Sequence, residues 1–188
     1  MQREHNPDQE VVERAQGGEQ AALAELLQRY RNPVFAFVYR ILGDQAAAED
    51  VAQEAFVRAF QHIGRFRFRR GALFSTWLFQ LARNAALDEQ RRKRRRPTAP
   101  LDELAREPAA AGTDAAGQLI NRELGEAIAQ AVAGLPEDQR TALVLTEYHD
   151  QPTCEVARVL NCSVRGAESR LFRARQAVRA QLARQGWV

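Results

Sequence analysis

Apolar residues recur at helical spacing along most of the chain, and no convincing two-residue alternation appears, so an all-α fold is expected. The pattern predicts a short helix from Asp8 to Ala15. A long one follows from Glu19 to Ile41, where Leu23, Leu26, Leu27, Tyr30, Val34 and Val38 form a stripe. Gly43 is placed to end it, and Asp44 to cap a third helix running to about Ile63. After a loop from Gly64 to Ala72, a fourth helix spans about Phe74 to Arg94. Pro97 and Pro100 stop it. Residues 97–117 are rich in Pro, Ala, Gly and Asp, with few large apolar side chains, and read as a flexible linker. Helices resume at about Gln118–Ala133, Glu137–Glu147, Thr153–Leu160 and Val164–Ala183. The expected architecture is two small helical domains, 1–96 and 118–188, joined by that linker, the second ending in a helix-turn-helix.

The helix-turn-helix rests on particular residues. Ala157 is small where two helices must cross closely. Asn161 tolerates the left-handed backbone a tight turn needs, and Ser163 can cap the helix that follows. On that helix Ala167, Leu171, Ala174, Val178 and Leu182 form an inner stripe. Arg165, Ser169, Arg170, Arg173 and Arg175 lie mostly off it, where the first residues of a recognition helix meet base edges. A plain amphipathic hairpin would share the stripe but has no use for the cations.

Charge sharpens the division. The chain has 188 residues and a net charge of +3, but its segments alternate in sign. The nets are −4 over 1–64, +9 over 65–96, −7 over 97–164 and +5 over 165–188. Two separated basic blocks suit two contacts with a polyanion, since clustered cations displace phosphate counterions. All the cations but Lys93 are arginine, which forks onto phosphate or guanine edges.

Two further patterns carry candidate chemistry. Asp50, Gln53, Glu54 and Val57 share one face of the third helix, opposite an apolar stripe of Val51, Ala55, Phe56, Ala59, Phe60 and Ile63. Such a face serves either solvent or a protein partner. The segment from Arg65 to Trp77 interleaves cations with rings, as single-stranded nucleic acid requires: charge for phosphates and aromatics for unstacked bases. Some of these rings, Phe74 and Trp77 among them, can equally face the core.

What is missing matters too. The sequence has no P-loop, GxGxxG, GxSxG or zinc-ligand spacing, so no enzyme, cofactor or metal site is implied. Cys154 and Cys162 make no disulfide framework and are expected in the core. No run of ~18 apolar residues is long enough for a membrane helix, and the polar start is unlike a signal peptide, so a cytoplasmic protein is expected. Little chain follows the last helix, and no extra C-terminal regulatory domain is expected.

Together the residues resemble the extracytoplasmic-function (ECF) group of bacterial RNA polymerase sigma factors. Asp50 to Phe60, Thr76-Trp77-Leu78, Ala82-Arg83-Asn84 and Asp88 are similar to sigma domain 2. Leu135-Pro136, Glu155-Val156-Ala157 and Ser169 to Arg175 are similar to sigma domain 4. The resemblance implies that Asp50, Gln53, Glu54 and Val57 dock on the clamp coiled coil of the polymerase β′ subunit. It implies that the −10 element is opened and held by Arg67, Arg69, Arg70, Gly71, Phe74, Ser75, Trp77, Arg83, Asn84 and Asp88. It gives −35 reading to Ser163, Arg165, Gly166, Glu168, Ser169, Arg170, Arg173 and Arg175. The linker would thread the polymerase channels. The implied partners are core polymerase, including its β subunit, promoter DNA as duplex and melted strand, and an anti-sigma factor. The chain departs from the family where Gly166 and Glu168 replace the usual Thr and Lys, and where Pro152 replaces a capping Ser, so the promoter sequence cannot be carried over. A stand-alone helix-turn-helix regulator is the alternative. It would be expected to dimerise on a palindrome and to need neither the third-helix face nor the aromatic-basic loop.

Overall fold

The structure is a computed structural model that describes residues 8–68, 73–95 and 115–187, with side chains from 121 onward in the last stretch. Every described element is helical: α1 Gln9–Gln16, α2 Gln20–Leu42, α3 Gln45–His62, α4 Phe74–Arg95, α5 Ala115–Ala133, α6 Glu137–Glu147, α7 Thr153–Val159 and α8 Val164–Arg184. One 3-10 turn, Ile63–Arg65, leads out of α3.

The local signals act as their chemistry requires. Gly43 ends α2 in the left-handed conformation, φ 72°, and its N–H bonds the Tyr39 carbonyl. Asp44 then caps α3, accepting from the Ala47 N–H at 2.9 Å. That bond, followed by the Lys93 ammonium at 2.8 Å, holds the Asp44 carboxyl below its usual range. α2 runs unbroken through Pro33, whose missing N–H removes one bond of the ladder. The sequence placed the start of α5 at Gln118, whereas the helix begins at Ala115, inside the expected linker. Ala115 and Ala116 are the best helix formers and add no cost, and Gly117 between them and the periodic part costs only about 1 kcal/mol. The rest of the linker, 97–114, lies outside the described residues.

Helices α1 to α4 form one unit around Val12, Leu26, Val34, Phe37, Val38, Phe74 and Leu78, all essentially inaccessible to solvent. α5 to α8 form the second around Val144, Leu145, Val156, Val159, Ala167 and Ala174. The two units pack on each other, α2 and α4 of the first against α6 and α7 of the second. Arg140 crosses from α6 to donate to the Ile41 carbonyl at 2.7 Å. The Thr76 hydroxyl of α4 donates to the buried carboxylate of Glu155 on α7. His149 lies between the units, its ring 6.1 Å from Phe37 and 5.1 Å from Phe79.

Candidate polymerase and nucleic-acid interfaces

α3 buries Val51, Ala52, Ala55, Phe56 and Ala59. The opposite face therefore has to be presented outward, and Asp50, Gln53, Glu54 and Val57 are all exposed. Val57 is 48% exposed, although burying it would be favourable by about 1.5–3 kcal/mol. Glu54 pairs with Arg58 one turn on. The result is an exposed acidic and amide ridge with one apolar side chain, Val57, on it.

The aromatic-basic segment has two sides. Phe66 and Phe74 are buried, at 7% and 0% exposure. Phe74 packs edge-on to Phe66 at 5.8 Å and to Trp77 at 5.9 Å. Both Phe74 and its neighbour Ser75 thus belong to the core here, and neither is presented to a base. Alternating rings and cations in a sequence do not say which ring turns inward. Trp77 is half-buried, lying over Phe66 at 5.1 Å. Phe68, half-buried and edge-on to Phe66 at 4.9 Å, is a second ring at the rim that sequence reasoning did not single out. The Arg67 guanidinium folds back onto its own turn, donating to the carbonyls of Gly64 at 2.6 Å and Phe66 at 2.8 Å. Arg69, Arg70 and Gly71 lie outside the described residues. Further along α4, Asn84 is exposed, and exposed Asp88 accepts from Arg91 at 3.1 Å.

The helix-turn-helix has the expected geometry. Asn161 adopts φ 50° at the turn, and Ser163 caps α8 by accepting from the Gly166 N–H at 3.1 Å. Ala157, Ala167, Leu171 and Ala174 are buried at the crossing, while Val178 and Leu182 are half-buried. Arg165, Glu168, Arg173 and Arg175 are exposed, and Ser169 is half-buried. Arg175 is engaged by Glu147, at 2.9 and 2.7 Å. Among the described residues no carboxylate pairs with Arg165 or Arg173, which leaves both free for phosphate or bases. Phe172, 64% exposed beside them, also faces outward. Its signal in the sequence is an aromatic standing off the inner stripe.

The space at Gly166 is narrow. A Cβ there would meet the Arg170 guanidinium at 3.1 Å and Ser163 Oγ at 3.2 Å. Arg170 lies over this spot, donating to the Gly166 carbonyl at 3.1 Å and to Asp138 at 3.0 Å. Arg170 therefore turns toward α6, although its position in the first two turns of α8 had suggested the groove floor. The other oxygen of Asp138 accepts from Arg83 of α4 at 2.6 Å. One carboxylate thus holds an arginine from each basic block. Neither cysteine is fully buried, as a core role required: Cys154, in the first turn of α7, is exposed, and Cys162 is half-buried.

The sequence patterns of known families match the same two units: Sigma-70 region 2 over residues 26–96 and Sigma-70 region 4 over residues 125–178. The RNA polymerase sigma-H factor of Pseudomonas aeruginosa is 34% identical over 180 residues, 91% of each chain. The ECF RNA polymerase sigma factor SigW of Bacillus subtilis is 33% identical, covering 91% of this chain and 94% of its own. The ECF RNA polymerase sigma-E factor of Escherichia coli is also 33% identical, over 91% of this chain. Among solved structures, CnrH in complex with the cytosolic domain of CnrY superimposes with a TM-score of 0.69 at 27% identity, covering 94% of this chain. With two region matches in order and relatives aligned over nearly its whole length, the chain belongs to the sigma-70 family of RNA polymerase sigma factors, in its ECF group.

Proposed function

We propose that residues 1–96 dock core RNA polymerase and open the −10 element, that 97–117 is the connecting linker, and that 118–188 reads the −35 element. As a polymerase-dependent sigma factor, the chain supplies promoter choice, while nucleotide bond formation belongs to the polymerase. Asp50, Gln53, Glu54 and Val57 form the contact with the β′ clamp. Phe68, Trp77 and Arg67, with Asn84 and Asp88 behind them, meet the melted strand. Arg165, Glu168 and Ser169 read bases, and Arg173 and Arg175 hold phosphate. Arg83 and Arg170 join their respective DNA contacts once Asp138 gives way to phosphate, so the two units separate on the promoter. Since the sigma factor RpoE of Bartonella quintana, a structural neighbour, was solved with the anti-sigma factor NepR, an anti-sigma factor is a fitting partner for this chain as well. The site of action is the cytoplasm.

The observation that carries this reading is the pairing in one chain of an outward-facing Asp50–Val57 ridge with a capped recognition helix whose Arg165 and Arg173 are uncommitted. A stand-alone regulator needs only the second of these. Gel filtration with core polymerase, followed by start-site mapping on a genomic library, tests the proposal. Co-elution and discrete starts are expected. Duplex binding without co-elution would instead favour the regulator.

A further inference from the structure

Helix α1 precedes the matched region-2 residues, which begin at 26. Val11, Val12 and Ala15 anchor it in the core. Its last residue, Gln16, is only half-buried and makes a different kind of contact. The Gln16 side-chain amide donates to the carbonyl of Ile63 and to that of Phe66, each at 2.9 Å. These carbonyls bracket the 3-10 turn that takes the chain from α3 into the aromatic-basic segment. The Phe66 carbonyl also receives the Arg67 guanidinium, and the Phe66 ring supports both Phe68 and Trp77. At the other end of α1, the Tyr30 hydroxyl donates to Asp8 just before the helix, and the Tyr30 ring lies 5.7 Å from Phe74. α1 thus braces the entry of the segment through Gln16, while Tyr30 of α2 links Asp8 at the start of α1 to Phe74 at the segment's far end.

A primary amide is suited to the entry. It has two N–H groups in one plane, so it can tie two carbonyls of a single turn at a fixed separation. We infer that Gln16 is a positioning residue for strand opening: its paired hydrogen bonds hold the Ile63–Phe66 turn, and with it Arg67, Phe68 and Trp77, in the register that meets the melted strand. The inference rests on the function proposed above. Gln16 itself touches no DNA.

The test uses the full chain with core polymerase, on a promoter found by start-site mapping with the wild-type protein. Each variant is compared on the duplex and on a template premelted across the −10 element, with transcript yield as the readout on both and permanganate reactivity of thymines reporting opening on the duplex. Gln16→Ala and the similarly shaped Gln16→Met, which lose both hydrogen bonds, are expected to lose about tenfold in duplex opening. On the premelted template they should stay within about twofold of wild type, with co-elution unchanged. Gln16→Glu, which sets a carboxylate against two carbonyls, should lose more. The ratio of duplex to premelted signal cancels any difference in folded fraction. Wild-type opening with Gln16→Met, or an equal loss on both templates, would overturn the inference. A wild-type chain that yields no discrete starts would instead overturn the proposed function itself.

Discussion

Phe74 and Trp77 stand one turn apart on α4 and differ in what their removal does. Phe74 is inaccessible and touches Tyr30, Phe66 and Trp77. Phe74→Ala therefore leaves a core cavity and is expected to cost about 3–5 kcal/mol of stability. Its activity should fall on duplex and premelted promoters alike, with a matching drop in Tm. Trp77 keeps part of its ring at the surface. Trp77→Ala should impair opening more than duplex binding, because rings stack only on exposed bases, and premelting should restore much of the activity. A second contrast lies on α8. Exposed Arg173 has no carboxylate partner among the described residues, so Arg173→Ala should weaken all promoters about equally and lower the salt slope by about one. Glu168 is exposed on the same helix, and a carboxylate can accept from a cytosine amine. Glu168→Lys should change the preferred upstream bases, as read by start-site mapping on a randomised −35 library. An unchanged preference would make Glu168 a solvated bystander.

At the scale of elements, the proposed docking face lies on α3, and Gln53→Ala with Glu54→Ala is expected to weaken core binding. Loss of a polar interface contact costs ~1–3 kcal/mol, about a five- to hundredfold change. Both side chains are exposed, so circular dichroism should be unaltered. Unchanged affinity would remove the face from the interface. That face was legible in the sequence because helical spacing alone sorts Asp50, Gln53 and Glu54 from Val51 and Ala55. The Gly43–Asp44 boundary and the Asn161–Ser163 turn were legible for a similar reason, since each depends on a residue acting on its immediate neighbours. Other features were not. The inward turn of Phe74 depends on Tyr30 and Phe66, which no local pattern names as its neighbours. The engagement of Arg170 depends on Asp138, which lies 32 residues away in sequence. Long-range partners of this kind follow from the packing of α4, α6 and α8, and periodicity says nothing about them.

For the whole molecule, the packing between the two units ties Arg83 of α4 to Asp138 of α6. Asp138 holds Arg83 only while the units are docked, whereas its pair with Arg170 of α8 lies within the second unit, and both partly exposed pairs contribute little on their own. His149 gives the docking a dependence on pH. Its ring lies against Phe37 and Phe79 of the first unit. Burial lowers its pKa from 6.5 to about 4, nearby Arg40 adds to the effect, and Asp150 opposes it. Arg40 is itself set over the Tyr148 ring, 3.9 Å from its centre. When the units separate, the imidazole returns toward its ordinary value and binds a proton that the docked form excludes. Docking is therefore strongest above pH ~6.5, weakens as pH falls toward ~4, and loses no more from this group below that. With the ring partly reached by solvent, the loss is expected to be roughly 1–3 kcal/mol. Small-angle scattering of the free chain from pH 7 to pH 4.5 should show an increasing radius of gyration. His149→Phe keeps an aromatic ring against Phe37 and Phe79 but cannot take the proton, so its radius should stay constant over most of that range. If wild type and His149→Phe expand together, the carboxylates of the interface open the molecule and the imidazole does not.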